Sequence, residues 1–416
     1  MQSGTERLEP LSNGVGAAVL PRNQARLVIF ALAVGGFAIG TTEFAAMGLL
    51  PNFARNLGIS EPTAGHVISA YAAGVVVGAP TLALLGARWS RRTLLICLMA
   101  LFAIGNALSA VAPSYGWLVG FRFLSGIPHG AYFGVAMLVA ASIVPYRQRA
   151  RAVGHVLTGL TIATIVGVPA ATWLGQALGW RSGFATVSLL ALLTVALLTL
   201  YVPALPPDPA AGPLRELGAL KRRQVWFTLG TAAIGFGGIF AVYAYLTTTL
   251  TTVTHMNVHA VPLVFCIFGV GLTFGTMFAG WASDRALMPT AGGMLLWSVA
   301  ALALFPLAAK NVYAVSLVIF MIGFGGGLGT ALQMRLMEVA EDAQTLAAAL
   351  NHSAFNTANA IGPWLAGLAI AHGYGWTSTG WVGAVLAVGG FLFWLIAVLD
   401  ERQHRWTPPA LAAPQV

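Results

Sequence analysis

The sequence predicts an all-α integral membrane protein with twelve transmembrane helices in two pseudo-symmetric six-helix bundles. Three observations support this fold class: the composition, a series of twelve apolar segments, and an internal repeat. Of the 416 residues, 58% are hydrophobic and only 8% are charged, and the mean hydropathy is +0.81. Soluble domains carry about 25% charged residues, so this composition indicates a polytopic membrane protein.

Each apolar segment is long enough to supply the roughly 20 residues that cross a bilayer. The segments are placed at 27–50, 63–87, 93–112, 117–144, 152–177, 182–202, 225–254, 261–283, 289–309, 312–337, 345–372 and 378–399. The one long connector is rich in proline and then basic. The chain is therefore divided into an N-terminal tail 1–26, a bundle 27–202, a linker 203–224, a second bundle 225–399 and a C-terminal tail 400–416.

An internal repeat relates the two predicted bundles. Pro169 in the fifth segment is matched by Pro363 in the eleventh, and the Gly-Trp pair at 179–180 is matched by the pair at 375–376. The offset between the copies is nearly constant. A repeat of this kind is typical of transporters built from a duplicated six-helix unit.

The basic residues indicate how the chain is oriented. With the N-terminus on the cytoplasmic side, all but four of the 21 Lys and Arg residues lie on that side. The exceptions are Arg55, Arg181 and Lys310 on the other side and Arg122 within a segment. The positive-inside rule then places both termini in the cytoplasm. Because the net charge of +9 lies in these short loops, it predicts no nucleic-acid partner.

Glu43 is the only one of the twelve acidic residues that lies deep inside an apolar segment. A charge at such a depth costs about 2.5–3.5 kcal/mol on insertion scales and usually has a function. Desolvation disfavours an ionised carboxylate, so Glu43 could load and release protons at working pH. The alternative is a permanently ionised structural partner of Arg122.

Two further residues join Glu43 in the predicted proton-coupling set. Arg122 lies at a similar depth in the fourth segment, where it could tune Glu43 or serve as a static strut, and a lone buried guanidinium requires some partner. His129 follows Arg122 by seven residues and shares its helix face. Its imidazole could relay protons or bind substrate hydroxyls, although many interior histidines only satisfy hydrogen bonds.

Polar side chains in otherwise apolar segments predict a substrate cavity. The eleventh segment carries Asn351, His352, Asn356 and Asn359. Unsatisfied amides are costly in lipid, so they face protein or water, and hydrogen bonding between helices is the alternative to a cavity role. The predicted cavity residues are Glu43, His129, Tyr132, Tyr243, Asn351, His352 and Asn356.

Several functions lack a starting point in this sequence. There is no G-x-x-x-x-G-K-[ST] motif for ATP and no H-E-x-x-H or G-x-S-x-G motif for an enzyme, so no catalytic residue is assigned. Cys97 and Cys266 lie in apolar segments without metal-ligand spacing, so we interpret them as packing residues and predict no metal site.

Four motifs stand in order along the chain. The stretch TTEFAAMGLLP begins in the first segment and ends just after it, and the loop after the second segment contains Arg88, Arg91 and Arg92, with Asp284 and Arg285 in the corresponding second-half loop. The fourth segment has the R-x-x-x-G-x-x-x-G pattern that starts at Arg122. The fifth is rich in glycine and proline, at Gly159, Gly167, Pro169 and Gly175. From Thr41 to about Gly380, the chain resembles the major facilitator superfamily, in particular its drug and sugar:proton antiporters, and is most similar to bacterial arabinose and chloramphenicol efflux permeases.

This resemblance implies a function and roles for the motifs. It implies export of a small organic molecule from the bacterial cell across the inner membrane in exchange for protons, with the proton gradient as the energy source and no cofactor. It also implies that the five charged loop residues form a cytoplasmic gate, that Arg122 is tied to proton transfer and that the fifth segment carries an antiporter motif. In this sequence Ala87 replaces the usual aspartate of the first gate loop, and Val168 separates Gly167 from Pro169.

Two other functions are also compatible with the sequence. One is an importer or symporter of the same fold, and the other is a membrane receptor or lipid-modifying protein that does not transport. A sugar, a chloramphenicol-like drug or another metabolite could be the substrate. The fold can work as a monomer.

Overall fold

The computed structural model describes residues 20–86, 89–145, 148–204, 220–340 and 344–405. This part of the chain is helical and contains no strand, and ten of its segments are long and apolar enough to cross a membrane. One of them, Val258–Ala308, holds two helices that meet at Ala286, where the backbone is non-helical. The further 28-residue helix Gln344–Ala371 completes twelve. The predicted all-α, twelve-helix fold is confirmed.

The first half of the chain supplies six membrane helices. They are α1 (Arg22–Gly48), α2 (Glu61–Leu85), α3 (Arg91–Ala110), α4 (Tyr115–Gly126 and His129–Ser142), α5 (Arg149–Ile162, the π-helical turn Ala163–Gly167 and Val168–Leu178) and α6 (Trp180–Tyr201). A short helix, Leu50–Leu57, follows α1.

The second half repeats the arrangement. Its helices are α7 (Arg223–Gly235 and Gly237–Ala244), α8 and α9 (261–285 and 287–308 on either side of Ala286), α10 (Val312–Gly325 and Leu328–Ala340), α11 (Gln344–Ala371) and α12 (Ser378–Arg405). The short helix Leu246–Thr252 follows α7. Each half thus has a first helix that continues into a short helical segment.

The internal repeat is visible in the backbone as well as in the sequence. Gly179 precedes α6 with a φ of 90°, and Gly375 lies just before α12 with a φ of 78°. L side chains rarely adopt such positive angles, so glycine is required in both copies. The matched Gly-Trp pairs therefore mark equivalent turns of a duplicated unit.

The observed helices differ from the predicted segments mainly at their ends. α1 begins at Arg22, five residues before the predicted segment, because a helix continues through polar residues beyond its apolar stretch. The predicted segment 225–254 is interrupted at Phe236 and at Tyr245, where helical pieces meet. Hydropathy reports where a span lies but does not report such breaks.

The two halves are hydrogen-bonded to each other at the end of the bundle away from Leu20, Ala204 and Arg405, which we call the far end; the end that carries those three residues is the linker end. Thr247 donates its hydroxyl to the carbonyl of Gly48 at 3.0 Å. Thr248 donates its hydroxyl to the carboxylate of Glu61 at the start of α2. These four residues form the far-end contact, which holds the short segment after α7 against α1 and α2.

Candidate functional site

The glycines of α5 determine where α1 lies. A Cβ atom on Gly159 would come within 2.1 Å of the Ala33 carbonyl oxygen, and one on Gly167 within 2.2 Å of the Thr41 hydroxyl. A Cβ atom on Gly175 would lie 2.4 Å from Cδ2 of Leu49, the residue that follows α1. A side chain at any of these positions would push the two helices apart. The glycine-rich motif therefore seats α1 directly against α5.

Pro169 lies just beyond a break in α5. The π-helical turn Ala163–Gly167 interrupts the helix, and Pro169 occupies the first turn of the piece that follows. Proline has no backbone N–H and cannot continue the regular α-helical hydrogen-bond pattern, and here it lies just after the turn where that pattern changes. Such π-turns are frequent at functional sites.

Glu43 is buried, with 3% of its surface exposed, and its partner belongs to the other half. The amide Nδ2 of Asn359 on α11 donates to Oε1 of Glu43 at 3.2 Å. The predicted cavity set did not include Asn359, although the polar amide in an apolar segment was a visible signal. A hydrogen bond to Glu43, the carboxylate that is buried among the described residues, thus links α1 to α11 across the two halves.

Arg122 is fully buried within its own half and is held by neutral oxygens. Its Nη1 donates to the hydroxyl of Thr42 at 3.1 Å, to Oδ1 of Asn106 at 3.4 Å and to the hydroxyl of Ser125 at 3.4 Å. Among the described residues no carboxylate lies within 4.0 Å of this guanidinium. The ion pair with Glu43 that the sequence made possible is not formed.

Two aromatic rings complete the surroundings of Arg122. The guanidinium carbon lies 4.3 Å from the ring centroid of Tyr71 and 5.0 Å from that of Phe184. Cations are attracted to ring faces at these distances, and the attraction is strongest where water is absent. Nε and Nη2 of Arg122 are buried without a hydrogen-bond partner, so the rings supply stabilisation that these atoms lack.

His129 and His352 meet across the two halves. Nδ1 of His129 is hydrogen-bonded to the hydroxyl of Tyr71 at 2.9 Å, and its ring centroid lies 5.8 Å from that of His352 on α11. The His352 ring stacks on Phe133, with 5.2 Å between centroids and an interplanar angle of 8°. The sequence predicted both histidines as site residues, and the structure brings them together.

The remaining predicted cavity residues have different surroundings. Tyr243 is buried beside Phe44, 5.4 Å away between centroids, and its hydroxyl has no hydrogen-bond partner. Asn356 donates to the carbonyl of His352 in its own helix, and its Oδ1 is unpartnered. These two residues carry free polar atoms close to the interface between the halves.

Tyr132 and Asn351 are not brought to Glu43. The Tyr132 hydroxyl donates to the Leu32 carbonyl at 2.9 Å, which ties α4 to α1 within the first half. Asn351 donates to the side-chain oxygen of Gln333 on α10, within the second half. Their predicted part in a cavity stays a prediction.

The predicted gate residues lie at the linker end. Four of the five are described, namely Arg91, Arg92, Asp284 and Arg285, whereas Arg88 lies outside the described residues. Arg92 donates to the Thr199 carbonyl at 2.6 Å, and Arg285 donates to the Trp281 carbonyl at 2.8 Å while covering the ring of that residue. Both contacts stay within one half, unlike the contacts at the far end.

Comparison with known proteins places this architecture among transporters. The family model described as Major Facilitator Superfamily matches residues 32–340 and 236–415. Over 378 residues the chain is 40% identical to the Inner membrane transport protein YdhP of Escherichia coli (strain K12), covering 90% of this chain and 96% of that protein. It is 33% identical over 373 residues to a Chloramphenicol resistance protein of Streptomyces lividans, with 88% and 95% covered.

A solved structure shares the fold. The crystal structure of a bacterial homolog to the human lysosomal transporter Spinster, in an inward-facing and occupied conformation, superposes with a TM-score of 0.74. The match covers 94% of this chain and 100% of that one at 18% sequence identity. At this identity the likeness shows the fold alone.

Proposed function

This chain belongs to the Major Facilitator Superfamily of membrane transporters, and we propose that it exports a small organic molecule across the bacterial inner membrane in exchange for protons. The observation that carries the proposal is the hydrogen bond between Glu43 and Asn359, which ties the one buried carboxylate of α1 to the other half. The likeness to a chloramphenicol resistance protein supports export of a drug-like molecule.

The basic loops supply the orientation in this proposal. They place both termini in the cytoplasm, so the far end faces outward and the linker end faces the cell interior. The far-end contact of Gly48, Glu61, Thr247 and Thr248 is then a closed outer gate. Among the gate residues that the structure describes, Arg92 and Arg285 are each bound within their own half, which is the arrangement expected of an open inner gate.

In this proposal Glu43, at the interface between the halves, carries the proton that is exchanged for substrate. In the outward-open state the carboxylate takes a proton from outside, and after the halves rock about the midplane it releases that proton to the cytoplasm. Substrate enters from the cytoplasm and meets the polar atoms of His129, Tyr243, His352 and Asn356. One proton crossing the membrane supplies about 2.3 kcal/mol per 100 mV, which sustains a useful gradient of substrate.

The direction in which protons cross the membrane tests the proposal. Purified protein is reconstituted into liposomes that contain a pH-sensitive dye, and a panel that includes chloramphenicol and several pentoses is added outside. Antiport predicts that a transported compound enters while protons leave, so the lumen becomes alkaline. Acidification would instead indicate a symporter, and binding of a compound without any pH change would indicate a receptor. Liposomes without protein serve as the control.

A further inference from the structure

We infer that Asn359 is a positioning residue that senses the protonation state of Glu43 and couples it to closure of the far end. The inference rests on the proposed proton exchange. It assigns to a neutral amide on α11 the task of transmitting the proton's presence from the first half to the second.

The amide of Asn359 is matched to a protonated carboxyl group. Its Nδ2 donates to Glu43 at 3.2 Å, whereas its Oδ1 is buried and has no donor. An ionised carboxylate only accepts hydrogen bonds, but a protonated one also carries an O–H donor. A proton on Glu43 therefore supplies the donor that Oδ1 lacks, and the acid and the amide then form two hydrogen bonds instead of one.

Loss of the proton from Glu43 removes the second hydrogen bond. Without it, both carboxyl oxygens and Oδ1 of Asn359 are acceptors, and a buried acceptor without a donor is unfavourable. The contact between α1 and α11 then keeps one hydrogen bond instead of two, and Oδ1 of Asn359 stays buried without a donor. Neighbouring contacts belong to the same interface, because Ser69 on α2 donates to the Ala360 carbonyl on α11 at 3.0 Å. Protonation strengthens this interface, and deprotonation loosens it.

The direction of this effect of protonation on the far end is the one that an antiporter requires. Glu43 lies five residues before Gly48, which accepts from Thr247 in the far-end contact. The pair of protonated Glu43 and Asn359 thus stabilises the arrangement in which the outer side is closed. A proton taken from outside therefore favours the conformational change that carries it inward. Release of the proton at the linker end removes that preference, and the carrier is then able to open outward with substrate.

The charged and titratable groups around Glu43 do not perform this coupling. Arg122 on α4 and Tyr71 on α2 interact electrostatically with Glu43, and both belong to the same half. Arg122 is held there by Thr42. From the other half, Tyr243 on α7 lies against Phe44, and His352 on α11 stacks on Phe133 beyond Tyr71 and His129. Within the described chain, Asn359 is the hydrogen-bond partner that Glu43 has in the second half.

A distance measurement across the far end tests the inference without any substrate. Spin labels are attached to Val111→Cys at the end of α3 and Tyr374→Cys after α11, positions that are 69% and 76% exposed and lie in opposite halves. The native Cys97 and Cys266 are replaced by alanine in this background. Pulsed dipolar EPR in lipid nanodiscs then gives the population of short distances, which reports a closed far end, over a range of pH.

Three variants define the expected result. With the native residues at 43 and 359, acidification increases the short-distance population. Glu43→Gln stays short at every pH, since a glutamine amide supplies both a donor and an acceptor to Asn359. Asn359→Leu loses the response to pH, and Asn359→Ala serves as a second variant in case leucine disturbs folding. Thr357→Val on the same helix keeps the response, because Thr357 donates only to the carbonyl of Ser353.

A pH response that persists in both Asn359 variants would overturn the inference, and so would its absence from the native protein. Neither result touches the proposed antiport, which the direction of proton flux tests separately. A response that persists in Glu43→Gln would show that another group senses the proton, and this also overturns the inference.

Discussion

Thr42 and Glu43 are neighbours on α1, but their side chains meet different halves of the molecule. Thr42 donates to Asn106 at 2.7 Å and accepts from Arg122, so it belongs to a network within the first half. Glu43 faces Asn359 on α11. Successive residues of an α-helix point about 100° apart, given 3.6 residues per turn. This rotation separates the buried arginine from the contact that crosses the interface.

The Thr42 hydroxyl predicts a stability effect. Thr42→Val keeps the volume but removes the oxygen that joins Arg122 to Asn106. A hydrogen bond to a charged group contributes about 1.5–3 kcal/mol, so we expect a lower melting temperature in detergent. Thr357→Val, which removes only a bond to its own helix, should leave the melting temperature nearly unchanged. Equal melting temperatures for the two variants would argue that the Thr42 network is not stabilising.

At the scale of helices, the α5–α1 contact depends on particular glycines. A methyl group on Gly159 would lie 2.1 Å from a backbone oxygen of α1, whereas Gly154, five residues earlier on the same helix, has nothing within 4 Å. Alanine is favoured over glycine in a helix interior by roughly 1 kcal/mol. The two positions therefore predict opposite signs for the same substitution.

We expect Gly159→Ala to destabilise the protein by about 1–3 kcal/mol, because overpacking forces the backbones apart. Gly154→Ala should be neutral or slightly stabilising. Thermal unfolding followed by tryptophan fluorescence compares the two. If Gly159→Ala unfolded at or above the temperature of Gly154→Ala, α5 would not seat α1 as the structure indicates.

The far-end contact predicts a conformational effect. Thr248→Val removes the hydroxyl that binds Glu61, so the closed far end should become less populated. The spin-label pair described above would then report a larger share of long distances. Thr251→Val provides the control on the same short helix, since Thr251 bonds only to carbonyls of that helix. An unchanged distance distribution in Thr248→Val would remove this contact from the closing interactions.

At the scale of the whole molecule, the sequence alone predicted the twelve helices, their repeat and the buried Glu43, because composition and spacing are local properties. It did not predict that Asn359 donates a hydrogen bond to Glu43, or that the Thr42 hydroxyl accepts one from Arg122. Those contacts depend on how α1 is rotated about its axis against α4 and α11, which hydropathy does not encode. Apolar residues occur on every side of the α1 segment, so its hydropathy marks no preferred face.

The orientation of the molecule is itself testable. With both termini in the cytoplasm, Tyr374→Cys at the far end should react with a membrane-impermeant maleimide added to intact cells, in a background without Cys97 and Cys266. Gln403→Cys near the end of α12 should react only after the cells are permeabilised. Labelling of Gln403→Cys in intact cells would reverse the proposed orientation and make the far end the cytoplasmic one.

If Glu43 carries the exchanged proton, its replacement by glutamine abolishes proton movement that depends on substrate. Luminal pH is followed in liposomes that contain native protein, Glu43→Gln or Glu338→Gln, after addition of a compound that the native protein transports. Glu338 is an acid at the linker end whose side chain is 56% exposed, so it controls for the loss of a carboxylate. We expect alkalinisation with native protein and with Glu338→Gln, and none with Glu43→Gln. Substrate-dependent proton movement that survives in Glu43→Gln would contradict this role of Glu43.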